Sequence, residues 1–221
     1  MKNLIMKELR LAMQPPALLF LALSALILIP SYPGYIVFFY TCLGIFFICM
    51  LGRENKDIYY TMLLPVPKRS VVGARFFTVV LLELAQLAIA APFAAIRGEV
   101  AGEIPLMGMD ANAAFFGFSF VMFGIFNLVF LTGYYKDTNK VGVPFLWGCV
   151  ATGVFIVVAE AAAYAVPFVR DTLNVNTPEN LAAQFATLAV GVAVFVALSF
   201  CIPPKKQKIR RKSRKSWTYA D

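Results

Sequence analysis

The stretch Ala111–Gly133, ANAAFFGFSFVMFGIFNLVFLTG, carries no charged side chain and decides the fold class. At 1.5 Å of rise per residue, a helix of about 20 residues crosses the ~30 Å hydrocarbon core of a bilayer. Lipid offers no hydrogen bonds, so each span must satisfy its own backbone groups, which favours helices. A transmembrane β-barrel would show alternation, and apolar runs such as Val150–Val158 do not alternate. The sequence therefore predicts an all-α integral membrane protein.

Apolar blocks of similar length recur along the chain. Hydrophobic residues make up 60% of it and charged residues 14%, against roughly 45–50% and 25% in soluble domains. Six transmembrane helices are predicted, at Ala17–Pro30, Tyr35–Leu51, Val71–Ile96, Ala111–Gly133, Gly142–Val166 and Leu181–Ile202. The first two are short, so this hairpin either crosses a thin region or enters the membrane without crossing it fully.

Three regions follow from this pattern. Residues 1–14 read as an amphipathic interfacial helix, with apolar and basic side chains on opposite faces. Residues 15–202 form the six-helix transmembrane domain, which contains a polar loop at 52–75, and residues 203–221 form a basic tail. Eighteen of the twenty Lys and Arg residues fall on one side if both termini are cytoplasmic. We therefore expect a multi-pass protein of the cell membrane with both termini inside.

The composition excludes most catalytic chemistry. The chain has no histidine, so Ser–His dyads and HExxH zinc sites cannot form. It has no GxxxxGK[ST] loop to hold ATP phosphates, and its four cysteines form no CxxC pair. We expect no catalytic residue, no metal site and no bound cofactor. The basic tail directly follows a span, so it is expected to contact anionic lipid headgroups rather than nucleic acid, through Lys205, Lys206, Arg210 and Arg211.

Two carboxylates fall inside predicted spans, Glu83 and Glu160. Ionisable side chains at that depth are costly and commonly mark a functional pathway. Together with Gln86 and Asn127, they are candidate substrate-pathway residues. Equally, each carboxyl could be neutral, or could bond to a neighbouring helix through an amide side chain. An alternative function is a secondary transporter or channel that uses Glu83.

The N-terminus MKNLIMKELR and the loop DIYYTMLLPVPKRSVVGAR at Asp57–Arg75 carry a family resemblance. With six predicted spans, they resemble the small permease subunits of ABC transporters of the ABC-2 type. The matching positions are Asp57, Leu64, Pro65, Val66, Arg69, Val72, Ala74 and Arg75. The resemblance implies a non-catalytic subunit of an ATP-driven exporter, whose cargo could be amphipathic peptides or antimicrobial compounds. It also implies a second permease subunit, identical or paralogous, and separate ATPase chains that bind ATP and Mg.

The resemblance further implies a coupling helix that docks into the ATPase subunit. Asp57–Leu64 can form about two helical turns before two prolines stop it. On that helix Ile58, Met62 and Tyr59 are expected to form an apolar contact. The remaining coupling residues are a polar rim and two leucines of the same apolar cluster: Glu54, Lys56, Asp57, Leu63 and Leu64.

Overall fold

A computed structural model describes residues 2–12, 15–29, 32–63, 65–101 and 108–201. Within these ranges the regular structure is entirely helical, and no described residue lies in a strand. The α-helices are α1 (Lys2–Ala12), α2 (Pro15–Ala22), α3 (Gly34–Glu54), α4 (Asp57–Leu63), α5 (Lys68–Ala101), α6 (Ala113–Lys136), α7 (Gly142–Ala165) and α8 (Leu181–Phe200). A 3₁₀ helix at Leu23–Leu28 continues α2, and a π-helical turn at Val169–Leu173 follows α7.

Five of the described helices are long and apolar enough to cross a membrane: α3, α5, α6, α7 and α8. They correspond to the second through sixth predicted spans. The first predicted span, Ala17–Pro30, is instead divided between α2 and the 3₁₀ helix and is not among the five. The structure therefore confirms an all-helical, multi-pass protein but leaves the sixth crossing a prediction.

The segment that contains α2 and the 3₁₀ helix links opposite ends of the helical bundle. Before it, Glu8 of α1 contacts Arg75 near the start of α5. After it, Gly34 begins α3 beside Phe115, near the start of α6. The segment packs along α3, where the ring of Phe20 stacks on Phe47 with centroids 5.9 Å apart.

Helix α6 is the centre of the hydrophobic core. Its rings Phe115, Phe123, Phe126 and Phe130 are fully buried. The side chain of Asn112 accepts a hydrogen bond from the Phe115 N–H at 3.1 Å and caps the helix N-terminus. Within the apolar windows of the candidate spans, 61% of α6 is buried but only 17% of α8. Helix α6 is therefore an inner helix, and α8 exposes most of its apolar surface.

Helices α6 and α8 touch through their backbones. A Cβ atom at Gly191 of α8 would lie 2.2 Å from the Gly117 carbonyl oxygen of α6, and one at Gly117 would lie 2.7 Å from the Thr187 carbonyl oxygen. Real Cβ atoms do not approach so closely, so only glycine fits at this contact. Small residues at helix contacts are typical of membrane proteins.

Helices α5 and α6 run antiparallel and meet through polar side chains. The Tyr135 hydroxyl donates to the Val72 carbonyl oxygen, and further along the helices Asn127 bonds to Glu83. Three buried polar residues of α5, Arg75, Glu83 and Gln86, lie within an arc of about 80° on one face, because their spacings return to the same side at 100° per residue. We call the buried contact set of Arg75, Glu83 and Gln86 on α5 with Asn127 and Tyr134 on α6 the polar seam.

Hydrogen bonds fix the loop before α6 at the end of the bundle opposite Arg75. The Asp110 N–H donates to Asn174 Oδ1 at 2.6 Å, and Asn176 Nδ2 donates to Asp110 Oδ2 at 2.7 Å. Asn112 Nδ2 donates to the Leu173 carbonyl oxygen at 2.6 Å. These bonds connect the loop to the segment between α7 and α8.

Candidate coupling site

Helix α4 follows α3 after a tight turn. The Asn55 N–H donates to the Leu51 carbonyl oxygen at 2.9 Å, and the Lys56 N–H donates to the Arg53 carbonyl oxygen at 3.0 Å. Lys56 adopts a φ of 51°, a left-handed conformation that commonly ends helices but is uncommon for residues other than glycine. The turn therefore ends α3 and allows α4 to begin at Asp57.

Arg75 lies at the centre of the contacts behind α4 and is only 4% exposed. Its Nε donates to Glu8 Oε2 at 2.8 Å, its Nη2 to Asp57 Oδ2 at 2.6 Å, and its Nη1 to the Tyr134 hydroxyl at 3.3 Å. A guanidinium group suits this task because its donors point in several fixed directions. Gly52 of α3 leaves the necessary space, since a Cβ there would lie 2.7 Å from Arg75 Nη1.

Lys7 completes a charge-balanced cluster. Its ammonium group pairs with Asp57 and lies 3.6 Å from Glu8 Oε1, and it also donates to the Thr61 hydroxyl. We call Lys7, Glu8, Asp57 and Arg75 the ion network. Two carboxylates and two cations offset one another, so each buried charge has a partner. The ion network joins α1, α4 and α5 at one end of the bundle.

The outer face of α4 is apolar and exposed. Tyr59, Tyr60 and Leu63 are 63%, 60% and 67% exposed, and the two tyrosine rings contact each other with centroids 5.7 Å apart. Ile58 is partly buried and packs against the core on the inner side. Ile58 and Tyr59 therefore do not share one exposed surface, because Ile58 points inward.

The other predicted coupling residues occupy different positions. Glu54 and Lys56 are exposed at the turn before α4. Asp57 is not part of that rim, because its side chain is only 10% exposed and lies in the ion network. The side chain of Met62 and all of Leu64 lie outside the described residues.

Sequence reasoning missed three parts of this site. Tyr60 was not among the predicted contact residues, although it belongs to the same apolar cluster. Lys7 and Glu8 belong to the predicted amphipathic helix, and that pattern by itself predicts no contact with α4 or α5. The signal that could have found Glu8 is its placement as an acidic residue next to a lysine in an otherwise basic and apolar segment.

The predicted pathway residues separate into two groups. Glu83, Gln86 and Asn127 are all fully buried in the polar seam, and Asn127 Nδ2 donates to Glu83 Oε2 at 2.8 Å. This bond agrees with the expected option that a carboxyl bonds to a neighbouring helix. Glu160 lies elsewhere, against the loop before α6, where its carboxyl contacts Gly108.

Gly108 has a φ of 81°, and a Cβ there would lie 2.1 Å from Glu160 Oε2. Glycine is required on both grounds, because the positive φ favours it and the carboxyl fills the space of a side chain. The N–H of Gly108 also donates to the Tyr164 hydroxyl at 2.8 Å. Glu160 therefore contributes to the packing of this loop rather than to the polar seam.

The expected lipid-headgroup residues Lys205, Lys206, Arg210 and Arg211 lie outside the described residues. Among the residues that the structure does describe, no three Cys, Asp or Glu side chains cluster as a metal site would require. The candidate site provides a mechanical connection. A short helix has one face tied to α1 and α5 by buried ion pairs, and its other face presents exposed aromatic and aliphatic side chains.

Comparison with known proteins supplies the family. The family model described as ABC-2 family transporter protein matches residues 3–204, which is nearly the whole chain. No curated protein and no solved structure matches the chain. The match agrees with the five candidate membrane spans. The chain is thus a multi-pass membrane permease component and belongs to the ABC-2 family of transporter proteins.

Proposed function

We propose that this chain is the permease subunit of an ATP-driven exporter and that α4 is its coupling helix. ABC-2 permeases pair with ATPase subunits, and this chain has no P-loop of its own. The observation that carries the proposal is the two-sided construction of α4. Its inner side is fixed by the Asp57–Arg75 ion pair, while Tyr59, Tyr60 and Leu63 are exposed as an apolar contact. ATP and Mg are bound by the partner chain.

The ion network gives α4 a rigid connection to the spans. Force applied to its exposed face reaches α5 directly through Asp57 and Arg75, and reaches α1 through Glu8. Charge-assisted hydrogen bonds of this kind are stronger than neutral ones. Movement of α4 on ATP binding would therefore move α5 with it.

The proposed topology has six crossings, with both termini cytoplasmic. The segment of α2 and the 3₁₀ helix supports it, because it links the end of the bundle that holds Glu8 to the end that holds Gly34. At about 1.5 Å per α-helical and 2.0 Å per 3₁₀ residue, the two helices extend about 24 Å. The distribution of Lys and Arg supports cytoplasmic termini in the cell membrane.

Two permease subunits form the transport pathway in this proposal. Six crossings are half the number usual for a complete ABC permease, so a second copy or a paralogue is needed. Exposed apolar side chains on α7 such as Val154 and Val157 provide surface for such a partner within the membrane. The abundance of phenylalanine suits an amphipathic cargo, such as a peptide or another antimicrobial compound.

Co-purification with the ATPase tests the proposal. Tyr60→Asp and Leu63→Asp place a charge on the exposed face of α4, and each is expected to reduce the amount of bound ATPase at least tenfold. Val175→Asp is the matched control, because it adds the same charge at an exposed apolar position at the other end of the bundle. Retention of the ATPase by both α4 variants would contradict the proposed coupling role.

Transport by the purified chain alone would favour the alternative, a secondary transporter or channel that uses Glu83. The measurement is cargo or ion flux into vesicles with and without the ATPase and ATP. We expect flux only when both are present.

A further inference from the structure

The middle of the polar seam contains three enclosed side chains. Glu83 is 1% exposed, and Gln86 and Asn127 are completely buried. The Asn127 amide donates to Glu83 Oε2. The other four polar atoms of these three side chains have no hydrogen-bond partner among the described residues: Glu83 Oε1, Gln86 Oε1, Gln86 Nε2 and Asn127 Oδ1. Buried polar atoms without partners are costly, so this set needs a further ligand or a different protonation state.

The position of the carboxyl shows which ligand relieves this cost. Asn127 Nδ2 donates to Glu83 Oε2, while Glu83 Oε1 is buried and has no hydrogen-bond partner among the described residues. A proton on this carboxyl removes its negative charge and leaves the bond from Asn127 in place. Glu83 and Gln86 are three residues apart on α5 and therefore neighbours on one face.

The charges around Glu83 lead to the same ligand. The titratable group that faces Glu83 from α3 is the thiol of Cys42, which carries no positive charge, and α6 contributes the neutral Asn127. In the described part of the chain, the ion pairs involve other residues, and none joins Glu83 to a lysine or arginine. An ionised Glu83 would be an isolated charge inside the membrane, which is strongly unfavourable.

We propose that Glu83 is a proton-binding site whose neutral form, bonded to Asn127, allows α5 to close against α6. The proton is bound while the polar seam is closed. When α5 and α6 separate and water enters, the carboxyl O–H bond breaks, the proton passes to water, and the electron pair stays on Glu83. This follows because a hydrated glutamic acid is ionised at neutral pH. The proposal depends on these side chains alone, so it stands independently of the coupling role of α4.

Infrared spectroscopy of the full chain in lipid vesicles tests the protonation state. The difference spectrum between the unsubstituted chain and Glu83→Gln isolates the signal of this carboxyl at pH 7. We expect the C=O stretch of a protonated carboxylic acid to be present in the chain and absent from the variant. A carboxylate stretch in its place would overturn the proposal. If Glu83→Gln cannot be recovered folded, Glu83→Met removes the same proton with a similar volume.

The pH dependence of thermal unfolding gives a second test. A carboxyl that holds its proton more tightly in the folded state stabilises the protein at low pH, and this contribution is lost as the pH rises. Glutamine is neutral and keeps an oxygen that can accept from Asn127, so Glu83→Gln should keep the polar seam closed and lose this pH dependence. Glu54→Gln, at an exposed position, is the control and should keep it. Equal pH dependence in all three proteins would contradict the proposal.

A monovalent metal cation is the competing ligand, and it is distinguished by salt substitution. Sodium chloride and choline chloride at equal ionic strength should give the same unfolding temperature, because a proton needs neither. Stabilisation by sodium that disappears in Glu83→Gln would show a metal cation at this position and overturn the proton site.

Discussion

Helix α6 meets α8 and α5 in opposite ways. Against α8 the backbones touch, and the position of Gly191 over Gly117 leaves no room for a side chain. Against α5 the contact consists of long polar side chains, including Glu83 and Asn127, joined at 2.8 Å. A backbone contact depends on shape and cannot be replaced by water, whereas water can replace a hydrogen bond between side chains. The comparison predicts that α6 and α8 move together and that the bundle separates at the polar seam.

Removing Arg75 should cause the largest loss of stability, because it breaks the ion network that joins α1 and α4 to α5. Arg75→Leu leaves the carboxylates of Glu8 and Asp57 buried without their main partner, and breaking a buried ion pair in this way costs about 3–5 kcal/mol. We expect a lower unfolding temperature and faster proteolysis of α1. Arg53→Leu is the control, because Arg53 is exposed and pairs with Glu54 at 3.7 Å, a contact worth about 0.2–1 kcal/mol. Equal losses in both variants would show that the ion network does not anchor α1.

Adding one methyl group should disrupt the backbone contact between α6 and α8. Gly191→Ala places a Cβ 2.2 Å from the Gly117 carbonyl oxygen, and overpacking of this kind costs about 1–3 kcal/mol. Gly153→Ala on α7 is the matched control, since nothing lies within 4 Å of its new Cβ. Alanine is the better helix former there, so this control should gain about 0.5–1 kcal/mol. Chemical unfolding in detergent measures both, and a shift of the same sign for the two variants would contradict the backbone contact.

Removing one hydrogen bond from the polar seam should have the smallest effect. Asn127→Leu leaves Glu83 without its donor on α6, and a bond between transmembrane helices is worth about 0.6–1.7 kcal/mol. Ser119→Ala on the same helix is the control, because its hydroxyl donates to the Phe115 carbonyl oxygen of α6 itself and joins no other helix. Its unfolding free energy should stay nearly unchanged. If Asn127→Leu also leaves the unfolding free energy unchanged, the polar seam contributes little to the packing of α5 against α6.

The membrane-spanning helices were predictable because lipid imposes both their length and their composition. The predicted spans from Val71–Ile96 onward each fall within a described helix or extend only slightly beyond it. The first predicted span is less regular, and its apolar residues divide between α2 and a 3₁₀ helix. Hydropathy measures whether a segment tolerates lipid, and it does not specify which kind of helix the segment forms.

The candidate site was only partly predictable, for a physical reason. The position and length of α4 follow from local sequence, since prolines follow it. Its orientation depends on the contact of Asp57 with Arg75, which lies 18 residues later. At about 100° per residue, the buried Thr61 and the partly buried Ile58 share an arc of about 100° with Asp57. The opposite arc holds the exposed residues Tyr59, Tyr60 and Leu63. Periodicity within seven residues contains no information about such a distant partner.

The ion network also constrains how the protein is made. Glu8 precedes Arg75 by 67 residues and is synthesised first, so its carboxylate has no guanidinium partner until Arg75 has been made. Only then can α1 take its final position against α5. Arg75 is therefore the residue whose arrival ends the assembly of the N-terminal part, and a nascent chain that stops before it would leave α1 and α4 undocked.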